Sequence, residues 1–252
     1  MISKNKIKLI HSLEQKKYRK KEGLFVAEGP KIVNELLQSM KCTWLAHIPD
    51  YTLPLQTTYP IDEVETCTID ELHKTSFLNS PQEVIATFRI PDFSFKKEWI
   101  SDELCLALDG IQDPGNLGTI IRIADWFGIN HIFCSTQTAD AFSPKTIQAT
   151  MGAISRVKVH YTNLVELIND LPKGTPVYGT LLDGNNIYEQ ELENKGLLIM
   201  GNEGNGLTPE IREKLNARLY IPSYPKDSET SESLNVGVAT AILCAEFRRR
   251  MN

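Results

Sequence analysis

The sequence predicts an α/β protein in two parts, a small α/β sandwich followed by a larger domain built on a parallel sheet. Two observations carry this. Beyond residue 101, short apolar runs alternate with helical patterns, beginning with LCLALD at 104–109, a helix over 117–127 and HIFC at 131–134. Strand, helix and strand in that order form a crossover unit, which makes the strands parallel and puts ligands at their carboxyl ends. Before residue 101 the alternation recurs in shorter pieces. The proline-bearing, mixed-charge stretch IPDFSFKKEWIS at 90–101 then reads as the linker between domains 1–95 and 101–252.

In order, residues 4–21 read as a basic helix with Ile7, Ile10, Leu13 and Lys17 at helical spacing, and LFVA at 24–27 as a buried strand. Gly29 and Pro30 fit the cap and first turn of a helix whose Ile32, Val33, Leu36 and Leu37 form an apolar stripe. WLAHI at 44–48 and EVIATF at 83–88 are further strands. In the second part, Leu117, Ile120, Ile121, Ala124 and Phe127 face inward on the helix that Gly128 closes. Ser143 and Pro144 open another helix, and RVKVH (156–160), PVYGTLL (176–182) and the very apolar GLLIM (196–200) are strands. Thr208 and Pro209 cap and open a helix, RLYI (218–221) is the next strand, and the last helix runs from about Leu234 to Arg250. There is no internal repeat.

Composition narrows the classes. With 252 residues, 41% hydrophobic and 23% charged, the chain can bury a core and is neither low-complexity nor membrane-spanning. MISKNKIKLIHSLEQ carries charges where a signal peptide needs an apolar run, which argues against export and for a cytoplasmic protein. The five cysteines form no C-x-x-C and read as reduced core thiols; the five histidines never fall at zinc-ligand spacing, so each reads as a lone histidine and no metal is expected. Net charge is −5, yet residues 1–31 hold nine basic against three acidic residues. An end charged +6 on a chain otherwise at −11 suits contact with phosphates, although a solvated helix face accounts for the lysines equally well.

Three loops leaving predicted strand ends hold residues chosen for something other than packing. In the first, DGIQDPGNLGTIIR (109–122), Pro114, Gly115 and Gly118 shape a turn into a helix N-terminus, whose free N–H groups suit a polar ligand. Asn116 sits near the cap; Arg122, flanked by Ile121 and Ile123, is either functional or a surface arginine with its stem along apolar neighbours. The second, GNEGNG (201–206), follows a buried strand, and its Glu203 lies among backbone donors it could simply satisfy. Its G-x-x-G-x-G order is not that of a dinucleotide site, which counts against a nicotinamide oxidoreductase. The third runs from Ile221 through a proline- and serine-rich stretch to Ser233, Leu234 and Asn235, where Ser233 also reads as a cap for the small-residue helix VGVATAILCAEF.

Together, NLGTIIR, IMGNEGNGL and IP followed by SLNVGVATAI resemble the three ordered motifs of the SpoU, or TrmH-like, ribose 2′-O-methyltransferases of the SPOUT superfamily. KYRKKEGLFVAEG (17–29) and SPQEVIATF (80–88) extend the likeness to the L30e-like substrate-binding domain found in many members, so the resemblance covers nearly the whole chain. Ile221 and Ser233 stand twelve residues apart, farther than the family spacing; Ser223 replaces a usual methionine and Glu83 a usual glycine. These departures bear on substrate identity.

The resemblance implies a SPOUT domain with a deep trefoil knot, a homodimer with its active site near the subunit interface, and S-adenosylmethionine bound in a bent form on the knot. Gly201, Ile221 and Leu234 match the cofactor contacts, with Met200, Asn202 and Thr180 beside them. Arg122 matches the catalytic arginine, either as base or as a grip on the phosphate next to the target ribose; a guanidinium surrenders its proton rarely, which favours the grip. Asn116, Glu203, Ser233 and Asn235 complete the catalytic set, and Lys16, Lys17, Arg19, Lys20 and Lys21 are assigned to RNA. The expected reaction is methyl transfer to a ribose 2′-hydroxyl of a structured ribosomal or transfer RNA. A non-catalytic RNA-binding module is the alternative, and the intact catalytic set speaks against it.

Overall fold

The structure, a computed structural model, describes residues 1–250 except 95, 97 and 226–232, so much of the third loop lies outside the described residues. In chain order its first elements are α1 (Lys4–Ser12), α2 (Lys16–Glu22), β1 (Leu24–Glu28), α3 (Pro30–Leu37), β2 (Cys42–His47), β3 (Val64–Thr66), α4 (Ile69–Thr75) and β4 (Val84–Arg89). Then follow α5 (Glu98–Asp102), β5 (Leu104–Asp109), α6 (Pro114–Trp126), β6 (His131–Cys134), α7 (Pro144–Thr150), β7 (Lys158–Tyr161) and α8 (Leu164–Asn169). The last are β8 (Val177–Asn186), β9 (Gly196–Gly201), α9 (Pro209–Arg212), β10 (Ala217–Tyr220) and α10 (Val236–Arg249). These elements gather into two units, Met1–Asp92 with Asp140–Arg156, and Phe93–Ala139 with the chain from Val157 onward.

In the first unit a four-stranded sheet runs β1-β4-β2-β3, antiparallel except for the parallel β2–β3 pair. The basic stretch 4–21 is two helices, not one. Leu13, wholly buried, ends α1, and the guanidinium of Arg19 reaches back to the carbonyls of Leu13 (2.6 Å) and Glu14 (2.7 Å), satisfying acceptors that the break sets free. Arg19 also pairs with Asp140 at 2.6 Å and is 3% exposed. Its assignment to RNA is therefore withdrawn: a guanidinium committed to three partners inside the protein has no face left for a phosphate. Lys16, Lys17, Lys20 and Lys21 on the same helix are exposed.

Two elements of this unit lack a pattern strong enough to read from the sequence. β3 has three residues, two of them exposed, and α4 is a seven-residue helix started by a Thr68–Glu71 capping box. Segment 140–156, which sequence alternation places in the second domain, packs here instead. Phe142 lies 5.0 Å from Phe25, and Arg156 donates to Glu35 at 2.5 Å. Gly152, at φ +95, passes so close to Glu35 that an added Cβ would lie 2.9 Å from its side chain.

The second unit holds six parallel strands in the order β10-β8-β9-β5-β6-β7. Every residue of β5 is buried, as is all of β9 up to Gly201, which is why LCLALD and GLLIM read as continuous apolar runs: a central parallel strand is covered on both faces. α10 packs on α6, where Gly237 admits the side chain of Thr119 at 3.1 Å from the position of an added Cβ. His131 and His160, expected as lone histidines, face each other at 3.1 Å under Trp99, and burial pushes both down to about 4. The five cysteines are buried with free thiols. Among the described residues no cluster of His, Cys, Asp or Glu is placed to hold a metal ion, and no helix is long and apolar enough to cross a membrane.

The C-terminal arginines fasten α10. Arg248 donates to the carbonyls of Phe127 (2.7 Å) and Gly128 (3.1 Å), beyond the end of α6, and Arg250 donates to those of Ile187 and Tyr188. Glu246, 5% exposed, orients the set through bonds to Arg249 at 2.8 Å and Arg250 at 2.7 Å. The hydrogen bond from Arg249 leads in holding its carboxyl down to about 2. A depressed folded value means that this contribution is present above the ordinary carboxylate range and is lost as pH falls through about 2. Glu246→Gln is expected to lower the Tm at pH 7 by roughly 5 °C, corresponding to about 2 kcal/mol. The difference from wild type should shrink as the pH is lowered from 4 toward 2 in a series of melts; a gap that stays constant would show that the charge is irrelevant.

Candidate active site

The carboxyl ends of β5 and β9 and the start of α10 converge. β5 ends at Asp109, whose carboxylate accepts from Thr208 N at 2.8 Å and so ties the first loop to the segment after the second. Gly110 turns the chain with φ +73, and Asp113 caps α6 by accepting from Asn116 N at 2.8 Å. Pro114 stands at the first helical position, leaving Asn116 in the first turn with its side chain available.

That side chain joins the three loops. Asn235 caps α10 with its oxygen, which accepts from Gly237 N (2.9 Å) and Val238 N (3.3 Å), so its amide nitrogen points outward and donates to Asn116 Oδ1 at 3.0 Å. Asn116 Nδ2 then donates to Glu203 Oε1 at 2.9 Å. The order of donors and acceptors is set from the cap, and the chain ends on a carboxylate. Ser233 does not cap α10, because Asn235 has that position.

The GNEGNG loop is closed by reciprocal backbone bonds between Asn202 and Gly206. Asn202 organises it further: its oxygen accepts from Gly204 N and Asn205 N, each at 3.0 Å, and its amide donates to Gly110 O at 2.7 Å. Gly201 lies under this turn, where an added Cβ would stand 2.5 Å from Gly206 C and 2.6 Å from Leu207 N. Beside the loop is a cleft of about 820 Å³. Thr180, Met200, Gly201, Asn202, Ile221 and Leu234 line it, together with Glu203 and Ser233. Tyr224 and Val236 of the third loop and its motif also line it, as do Asp183 and Arg212, which nothing in their local sequence marked as site residues.

Arg122 stands apart. Six residues beyond Asn116 is one and two-thirds helical turns, so the two side chains leave different faces of α6. Arg122 is exposed, as are Thr119 and Trp126 at neighbouring helical positions, does not line the cleft, and makes no hydrogen bond or ion pair with any described residue.

Comparison with known proteins gives the family. A model of the SpoU rRNA Methylase family matches residues 103–245, and one of the MRM3-like substrate binding domain matches residues 4–86. The chain belongs to the SpoU rRNA methylase family. One relative, the 23S rRNA (guanosine(2553)-2′-O)-methyltransferase RlmP of Bacillus subtilis (strain 168), is 34% identical over 251 residues, covering 96% of each chain. A protein of the TrmH family from Porphyromonas gingivalis superposes with a TM-score of 0.87 at 41% identity, covering 99% of each chain. An AdoMet-bound rRNA methyltransferase from Sinorhizobium meliloti does so with a TM-score of 0.83 at 29% identity, covering 100% of this chain and 98% of that one.

The cleft fits a cofactor of the SpoU enzymes. Its volume suits an adenosyl ligand, apolar Leu219, Val236 and Leu243 offer walls for a base, and Thr180, Asn202 and the glycine loop offer polar groups.

Proposed function

We propose that this chain transfers a methyl group from S-adenosylmethionine to the 2′-hydroxyl of a ribose in a structured ribosomal or transfer RNA. The observation that carries the reading is the Asn235–Asn116–Glu203 hydrogen-bond chain beside the 820 Å³ cleft, in a member of a family of RNA methylases. Thr180, Met200, Gly201, Asn202, Ile221 and Leu234 would hold S-adenosylmethionine in the cleft, where it would supply an electrophilic methyl group on a sulfonium.

The residues then have to align a weak nucleophile and provide for its proton. Glu203, held by Asn116, presents a carboxylate oriented from the α10 cap. Ser233 offers a hydroxyl at the cleft wall. Arg122, with its donors uncommitted among the described residues, is suited to grip the phosphate beside the target ribose. A second copy of the chain supplies a reason for this exposure: Trp126 of α6 is 84% exposed and Val238 of α10 50% exposed, apolar area that an isologous contact would cover around Arg122. Light scattering at micromolar concentration is expected to give twice the chain mass, and a monomer mass would remove the dimer from the proposal. The return of the chain from edge strand β10 to α10 on α6 and β9 supports the family's knot, and RNA as substrate implies a cytoplasmic location.

The reaction is tested by incubating the protein with methyl-labelled cofactor and ribosomal or transfer RNA, followed by alkaline hydrolysis. Ribose 2′-O-methylation blocks cleavage at the next phosphate, so the label should appear in alkali-resistant dinucleotides; label in mononucleotides alone would mean base methylation. RNA binding is tested separately. Replacing Lys16, Lys17, Lys20 and Lys21 with glutamine should weaken binding to unrelated RNAs and flatten its salt dependence, each lost phosphate contact lowering the logarithmic slope by about 0.7–0.9. An unchanged slope would make α2 a solvated face only.

A further inference from the structure

The charged residues among those lining the cleft are Asp183, Glu203 and Arg212. Glu203 is bonded to Asn116, which leaves one cation and one anion, and these pair with each other: Arg212 Nη2 lies 2.8 Å from Asp183 Oδ2. Arg212 is in the last turn of α9 and Asp183 is on β8, three residues beyond Thr180. Their side chains are 38% and 57% exposed, so as a surface bridge the pair adds little to stability and can open at little cost.

We propose that Arg212 and Asp183 are the subsite for the amino-acid end of the cofactor, Arg212 receiving the carboxylate and Asp183 the ammonium group. The inference rests on the reading of the cleft as the S-adenosylmethionine site. A ligand zwitterion carries the complementary charges, and Arg212 is the cation among the described residues of the lining. Opening the bridge exchanges one ion pair for two charge-assisted contacts, with guanidinium geometry suited to a carboxylate.

Three ligands separate the roles by calorimetry on the whole protein. S-adenosylmethionine has both charged groups at this end, its decarboxylated form keeps only the ammonium, and methylthioadenosine has neither. Arg212→Gln should weaken S-adenosylmethionine by roughly tenfold to a hundredfold while leaving the decarboxylated form and methylthioadenosine unchanged. Asp183→Asn should weaken the first two and spare methylthioadenosine. The reversed pair, Arg212→Asp with Asp183→Arg, keeps a bridge between α9 and β8 and should still bind S-adenosylmethionine poorly. Equal losses for all three ligands, unchanged affinity in the single variants, or restoration by the reversed pair would make the bridge purely structural and overturn the inference. Wild-type protein that bound none of the three would overturn the cofactor reading itself.

Discussion

Arg122→Ala is expected to lower methyl transfer by about a thousandfold while the Tm and the affinity for S-adenosylmethionine stay at wild-type values. The separation follows from where the residue stands. Its guanidinium is exposed, bonds to no described residue and does not line the cleft, so removing it leaves no orphaned partner and no altered cofactor contact. What is lost is the planar fork offered to a phosphate, and Arg122→Lys should fail as well, because an ammonium restores the charge without the fork. Single-turnover assays with saturating cofactor are the measurement. Turnover near wild type in either variant would remove Arg122 from the reaction, and weakened cofactor binding would move it into the cofactor site.

The second large effect is expected from one methyl group. In Gly201→Ala the new Cβ would stand 2.5 Å from Gly206 C and 2.6 Å from Leu207 N, backbone atoms that cannot swing aside as a side-chain tip can. The turn has to rise, which strains the reciprocal Asn202–Gly206 bonds, the Asn202 bond to Gly110 and the Asn116 bond to Glu203. Calorimetry should then detect no S-adenosylmethionine binding, and transfer should fall below detection. Gly204→Ala is the control three residues along the same loop: among the described residues its Cβ would meet only Asn202 Oδ1, at 3.7 Å, and affinity should stay close to wild type. Ordinary binding by Gly201→Ala would mean that the loop does not shape the cofactor site.

The residues that form the loops are legible in the sequence because strand ends, prolines and glycines are local signals. Asn116, Glu203 and Asn235 each stand out there as polar residues in a loop with too many special neighbours. Their hydrogen-bond chain does not, because it links positions 87 and 119 residues apart and its direction is set by the cap that Asn235 makes on α10. Arg19 shows the opposite limit. A count of charges ranks it with Lys20 and Lys21, whereas its environment consists of two carbonyls at a helix break and a carboxylate more than a hundred residues away. Asp183 and Arg212 carry no motif at all; only the fold of β8 against α9 brings them to one cleft.

The membership of segment 140–156 in the first unit has a consequence for synthesis on the ribosome. Arg19 is made early, but its carboxylate partner at Asp140, and Phe142 beside Phe25, emerge only after α5, β5, α6 and β6 have been translated. At about 5–20 residues per second, the 64 residues from Asp92 to Arg156 take roughly 3–13 s. Throughout that interval the amino-terminal sheet lacks part of its cover and a guanidinium lacks its counter-charge. The first unit is therefore finished by the second half of the message, and a fragment that stops at Asp92 is an incomplete protein rather than a free-standing module.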